Sequence, residues 1–346
     1  MYDTGEYNVK LQIPTDNYIV ADLLPHDLKP ISDYLQKIKV YNKETLIVLF
    51  GGFQCLAENA RWIQAINEYA KNIPNPVIVF NGLLASDVNY KIKDLDFSYN
   101  RISMFEHVSN IYWHESKCNK DWIQDIHKER NKKFYWASTK DWYTRRYVLA
   151  GLINQHLLDD GLVNYKCLYT DIPSDWLSFN IDSSLIHHIQ QECESISKNV
   201  PLPPLDDTVE FYDTDVNFYL DSFLGIITDT FYVQGVFFSE KVFHAMNHLQ
   251  LFFYIGYQGS LKYLKNKGYE VFDDIIDTGY DNIQEPGARL IAARASLIEF
   301  LNCPIEKIRS DYEKSRPAIQ HNKELLQKQR PDLEFTTILQ KILNEH

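Results

Sequence analysis

The succession TLIVLFGG (45–52), ENARWIQAINEYAKN (58–72) and NPVIVFNG (75–82) restricts the fold of this chain more than any other feature. The outer two are short apolar runs that end in glycine, the pattern of a strand buried on both faces. The middle segment carries its apolar residues at helical spacing. A buried strand, an amphipathic helix and a second buried strand make a βαβ unit, which implies a parallel sheet covered by helices. HVSNIYW (107–113) reads as a further strand of the same layer.

The basic segment HKERNKKF (127–134) marks a boundary near residue 130, and the alternation then resumes. FYWAS (134–138) predicts a strand, RRYVLAGLINQHLL (145–158) a helix stopped by DDG, and VNYKCLY (163–169) a strand. Residues 195–209, rich in proline and polar groups, predict a long loop. FLGIITDT (223–230) predicts a strand followed by a helix after Ser239. LQLFFYIG (249–256) predicts the next strand, and GSLKYLKNKG (259–268) a helix closed by Gly268. From ARLIAARASLIEFL (288–301) onward the pattern is helical. The expected organisation is an α/β domain over 1–130, a second over 131–305 and a helical tail over 306–346. Two such halves suit a cleft between them, with ligands at the carboxyl ends of the strands. The tail is amphipathic, suited to packing back on the first domain or to pairing with another subunit.

Several function classes are disfavoured. A net charge of -12 over 346 residues argues against general nucleic-acid or anionic-membrane binding, with KERNKK the one basic patch. The apolar runs are far too short to cross a bilayer, and MYDTGEYNVK lacks the basic start and apolar stretch of a secretory signal. The five widely spaced cysteines include no CxxC, which favours reduced thiols in a cytoplasmic protein. GGF after LIVLF lacks the GxGxxG spacing of a dinucleotide site. DTD (213–215) resembles the acid pair of metal-dependent sugar transferases, but acid pairs this short are common.

Two helix starts carry the sharper signal. In FFSEKVFHAM (237–246), Ser239 is a natural N-cap, and Val242, Phe243, Met246 and Leu249 fall at helical spacing. Lys241 then lies in the first turn, where unsatisfied N–H groups already make the helix end positive. In STKDWYTRRYVLAGL (138–152), Thr144 reads as the N-cap, with Arg145 and Arg146 in the first turn. Each misplaced cation costs about 0.3–1 kcal/mol at an exposed terminus. An anion held between the two ends would reverse that cost, and a diphosphate is the natural candidate. A long side chain leaning into solvent is the simpler alternative at either start taken alone. Glu240 likewise has two readings: ordinary first-turn helix chemistry, or acceptance of ribose hydroxyls beside the diphosphate.

The stretch 237–283 resembles the donor-binding half of glycosyltransferases related to family 10, the α-1,3-fucosyltransferase type, which has phage and marine bacterial relatives. The likeness rests on Ser239, Glu240 and Lys241 after a strand, then LFFYIG, Gly259 and LKYLKNKGY; upstream, IITDTFYVQGVFFSEK offers the strand, acid and short insert. The resemblance implies a GT-B fold, two Rossmann-like domains facing a cleft. It implies that Glu240 binds the donor ribose, that Lys241 binds its diphosphate, and that Arg146, with Arg145 as the alternate, meets the same group. Ser239 and Gly259 complete the implied donor site. The implied reaction moves a hexose from a nucleoside diphosphate sugar, guanosine favoured, to a glycan hydroxyl with inversion and without a metal or other cofactor.

An inverting transfer needs a base within reach of the acceptor hydroxyl. Glu58, after a glycine-containing loop, and the adjacent His114 and Glu115 of WHES are the leading candidates, with Asp87 and His107 behind them. FDDIID (272–277) is either a wall of the donor pocket or a set of surface acids. Two further readings compete: transfer to modified phage DNA, and a non-catalytic nucleotide-binding or assembly protein of the same fold.

Overall fold

The computed structural model describes the backbone of four strands within residues 18–102, and residues 127–138, 143–165, 183–196, 216–229, 236 and 238–328. The chain divides into two compact units, Met1–Ser116 with Arg330–His346, and Lys117–Gln329. In the first, β1 (Tyr18–Asp22), β2 (Thr45–Phe50), β3 (Asn75–Asn81) and β4 (Tyr99–Ile102) form a parallel sheet in that order. Tyr18 lies opposite Thr45, Thr45 opposite Asn75, and Ile78 opposite Tyr99. β2 and β3 are the two strands of the expected βαβ unit, while β1 and β4 are additions. The helix expected over 58–72, the strand over 107–113 and nearly all of the loop over 195–209 lie outside the described residues.

The second unit is built on β5 (Lys132–Ser138), β6 (Gly161–Tyr165), β7 (Ser222–Thr228) and β8 (Leu251–Ile255). These form a parallel sheet in the order β6-β5-β7-β8. Every residue of β7 and β8 is buried, which is why SFLGIIT and LFFYI are almost unbroken apolar runs. The helices are α1 (Tyr143–Asn154), α2 (Ser183–Ser195), α3 (Val216–Asp221), α4 (Glu240–Asn247), α5 (Ser260–Asn266), α6 (Pro286–Leu301) and α7 (Ile305–Lys328). The protein is therefore α/β, and its second unit has a Rossmann-like sheet. From β5 the chain passes to β6 on one side and later to β7 on the other, so strand order reverses between β5 and β7. Their carboxyl ends form a topological switch point, the place where open parallel sheets bind ligands.

Three sequence expectations need correction. The first helix begins at Tyr143, so Thr144 lies inside its first turn and is not the N-cap. The same helix stops at Asn154 instead of 158; His156 takes a left-handed φ of 55°, and a 3-10 turn follows over Leu158–Asp160. Leu249 is not on the helical stripe of α4, which ends at Asn247; it turns the chain at φ 56° before β8. α7, the described part of the tail, packs on the second unit against α4, β5, β7 and β8, and the rest of the tail lies outside the described residues. Its buried positions include Ile308, Tyr312, Ile319 and Leu326, spaced by four or seven residues.

Other ends agree with the sequence reading. Gly268, at φ 92°, closes α5: its N–H bonds Lys265 O, and Tyr269 N–H bonds Leu264 O, the paired bonds of a Schellman end. Below the sheet, the Arg130 guanidinium donates to the carbonyls of Tyr219, Ser222, His248 and Leu249 at 2.5, 2.5, 3.2 and 3.0 Å. The Tyr312 ring lies 4.9 Å from it. One side chain thereby joins the corners before β7 and β8 to α7. Among the described residues, no helix is long and apolar enough to cross a membrane.

Candidate functional site

Thr228 ends β7 at the switch point, and two side chains converge on it. Trp136 Nε1 of β5 donates to its hydroxyl at 3.1 Å, and Arg145 Nη2 of α1 donates to its carbonyl at 3.3 Å. Arg145 and Arg146 are 4 % and 7 % exposed, so neither is a solvated surface cation. The first turn of α1 is thus tethered to the end of β7, with both guanidinium stems carried inside the fold. Arg145 has a structural duty there, its bond to Thr228.

The next residue, Asp229, is 2 % exposed. Its Oδ2 accepts from the Tyr254 hydroxyl at 2.6 Å and from the Ser239 backbone N–H at 3.1 Å. Its own N–H bonds Ile255 O at 2.9 Å, extending the ladder one residue past the strand. Burial, then the charge and hydrogen bond of Asp229, push the Tyr254 phenol well above its usual range. Tyr254 therefore stays a donor to Asp229 at neutral pH. The Tyr280 hydroxyl, bonded to Tyr254 O at 2.8 Å, braces the same strand end.

Ser239 has the backbone of an N-cap, φ -72° and ψ 164°, as its place before α4 predicts. Its hydroxyl, however, makes no capping bond. It is buried within a residue 5 % exposed and has no hydrogen-bond partner among the described residues. Buried hydroxyls are normally bonded, so an orphan at a helix start calls for a cause. Lys241 follows in the first turn, half-buried. Of Glu240 only the backbone is described, as the first residue of α4.

The third helix start is different. Gly259 precedes α5 at φ 77°, a left-handed conformation that explains the glycine; a Cβ there would meet nothing within 4 Å. Asp281 fills this helix end, accepting from Lys262 N–H at 3.1 Å beside the backbone N–H groups of Leu261 and Ser260. Burial raises its carboxyl above the usual range, and those N–H groups and Arg289 pull it partly back. The chain itself supplies the anion at α5, so Gly259 stands at a closed helix start.

Hydrogen bonds thus tie Arg145 and Ser239 to Thr228 and Asp229 at the end of β7, while Arg146 and Lys241 lie in the first turns of α1 and α4. Single-sequence patterning gives Asp229, Tyr254 and Asp281 no role. Asp229 is visible there only as the acid after a buried strand; its partner lies 25 residues on. Glu58, Asp87, His107, His114 and Glu115 lie outside the described residues, as does DTD (213–215). In FDDIID, Asp273 pairs with Lys265, and Asp277 accepts from Gly279 N–H at 2.8 Å, both turn and surface duties. Among the described residues, no three His, Cys, Asp or Glu side chains are grouped to hold a metal ion. No protein-family model matches the chain, and no curated protein matches it either.

Proposed function

We propose that this chain is a glycosyltransferase of GT-B type, which moves a hexose from a nucleoside diphosphate sugar to a glycan hydroxyl with inversion. The observation that carries the reading is the Ser239 hydroxyl: buried, in capping conformation, and unbonded at a helix start beside the switch point. A diphosphate oxygen there would accept from that hydroxyl and from the first N–H groups of α4. Lys241 and Arg146 would supply the compensating positive charge, with Arg145 holding α1 against Thr228. Glu240 would meet the ribose.

In the reaction, the acceptor oxygen attacks the anomeric carbon while the bond from that carbon to the diphosphate oxygen breaks. The acceptor proton passes to a carboxylate or imidazole base, for which Glu58, His114 and Glu115 are the candidates. Fixed N–H dipoles and cations stabilise the departing charge without reorganising. Guanosine diphosphate is the favoured nucleotide.

Calorimetry with GDP, UDP, dTDP and ADP, with and without magnesium, tests the reading. One nucleoside diphosphate should bind selectively, and Lys241→Ala should weaken it by about tenfold. Failure of the wild type to bind any of them at millimolar concentration would sink the proposal. Hydrolysis or transfer of the donor sugar then separates an enzyme from a nucleotide-binding module.

A further inference from the structure

We infer that Asp229 is a positioning residue of this site, its carboxylate holding the entrance of α4 in the geometry an anion needs; the inference rests on the donor-site reading above. Its charge is of the wrong sign to attract a diphosphate, so electrostatic attraction does not explain a buried carboxylate beside the Ser239–Lys241 turn. Its geometry does. In a capping box, the N3 acid of the helix folds back onto the N–H of the N-cap residue. In α4 that position is Val242, which has no acceptor, and the Ser239 N–H goes instead to Asp229, ten residues upstream.

The substitution has a consequence. With its N–H held from the strand, Ser239 keeps the N-cap backbone while its hydroxyl stays out of the cap. The N–H groups at the start of α4 receive no side-chain cap from it. Tyr254 fixes the carboxylate from the neighbouring strand, since both donors reach the same oxygen, Oδ2. The strand ends thus set the direction of the helix start, and the ligand meets donors already in place, which limits the ordering cost of binding. Because both donors reach one oxygen, Asp229→Asn can keep these two bonds: an amide oxygen can occupy the Oδ2 position and accept both without the charge.

Inorganic pyrophosphate and the nucleotide selected by the wild type are the probes, read by calorimetry at a temperature where thermal melts show each variant folded. Asp229→Asn should bind both as tightly as the wild type or a few-fold tighter, because position is kept and repulsion removed. Asp229→Ala should bind about tenfold more weakly. Tyr254→Phe, which keeps the ring and its packing, should bind roughly three- to tenfold more weakly and covers the case of an alanine variant that does not fold. A loss in Asp229→Asn matching that of the alanine variant would overturn the inference, since charge and not position would then matter. Wild-type affinity in Tyr254→Phe would overturn it as well. If the wild type binds neither probe, the donor-site reading itself fails; if it binds and only the variants disagree, the fault lies with Asp229.

Discussion

Arg130 and Ser239 mark opposite extremes of polar satisfaction at single residues. The Arg130 guanidinium serves four backbone carbonyls from two corners of the sheet, and burial lowers its proton affinity without an acid close enough to dominate. Arg130→Ala would take this donor from all four carbonyls, although Ser222 O keeps Gln250 Nε2 and Leu249 O keeps the Tyr312 hydroxyl, a loss of about 2–3 kcal/mol. Arg130→Lys, a point donor in place of a planar fork, should recover only part of it. Urea unfolding of the three proteins measures both effects. Ser239 should behave in the reverse way. An ordinary N-cap serine costs about 1 kcal/mol when changed to alanine. Here the hydroxyl caps nothing, so Ser239→Ala should cost less than about 0.5 kcal/mol, while nucleotide affinity falls. A normal capping loss with unchanged affinity would count against a ligand at this position.

At the scale of elements, the helices differ in how their starts are met. α5 begins against Asp281, and α6 against Glu285, whose side chain accepts from Gly287 and Ala288 N–H. α1 has no acid in its first turn and carries Arg145 and Arg146 there. Asp281→Ala should therefore weaken the second unit by about 1 kcal/mol, whereas Asp281→Asn keeps an acceptor without the buried charge and should match or exceed the wild type at pH 7. The sign with pH follows from the raised folded value. Ionised Asp281 opposes folding at neutral pH, and this cost disappears as pH falls through the folded value toward 3.8. Unfolding curves at pH 7 and pH 4.5 should show wild type gaining on Asp281→Asn at the lower pH. These acids are hard to see in the sequence, because Asp281 lies 19 residues from the N–H it caps at Lys262. The strands and helices are legible where burial leaves a periodic apolar trace: β2, β3, β5, β7, β8 and α4 to α7. β4, with the sequence YNRI at the edge of its sheet, carries almost no such trace. The helix start at Ser239 can be read from its capping residue, but the missing capping bond depends on Asp229 and requires tertiary structure. The same local rule misreads Thr144 as a cap, since Tyr143 already lies in the helix.

For the molecule as a whole, alkaline pH is the discriminating stress. Burial raises the phenols of Tyr143, Tyr254 and Tyr312, and brings Tyr147 to about 12. In the unfolded chain they ionise near 10, so between pH 10 and 12 the unfolded state has lost protons that the fold retains. Stability contributed by these groups is complete below pH 10 and falls as pH rises through the folded values. Denaturant midpoints should decline over that window, and phenolate absorbance from these tyrosines should appear with unfolding. Tyr147→Phe should flatten the decline measurably. Arg130 also imposes an order in time. Its acceptors lie 89 to 119 residues later in the chain, and a ribosome adding roughly 5–20 residues per second needs about 6 to 24 s to reach the last of them. Throughout that interval the guanidinium must stay hydrated, so the centre of the second sheet cannot close behind the nascent β5. Completion waits for synthesis of the turn at Leu249, which makes the second unit a late-folding one however early its first strand emerges.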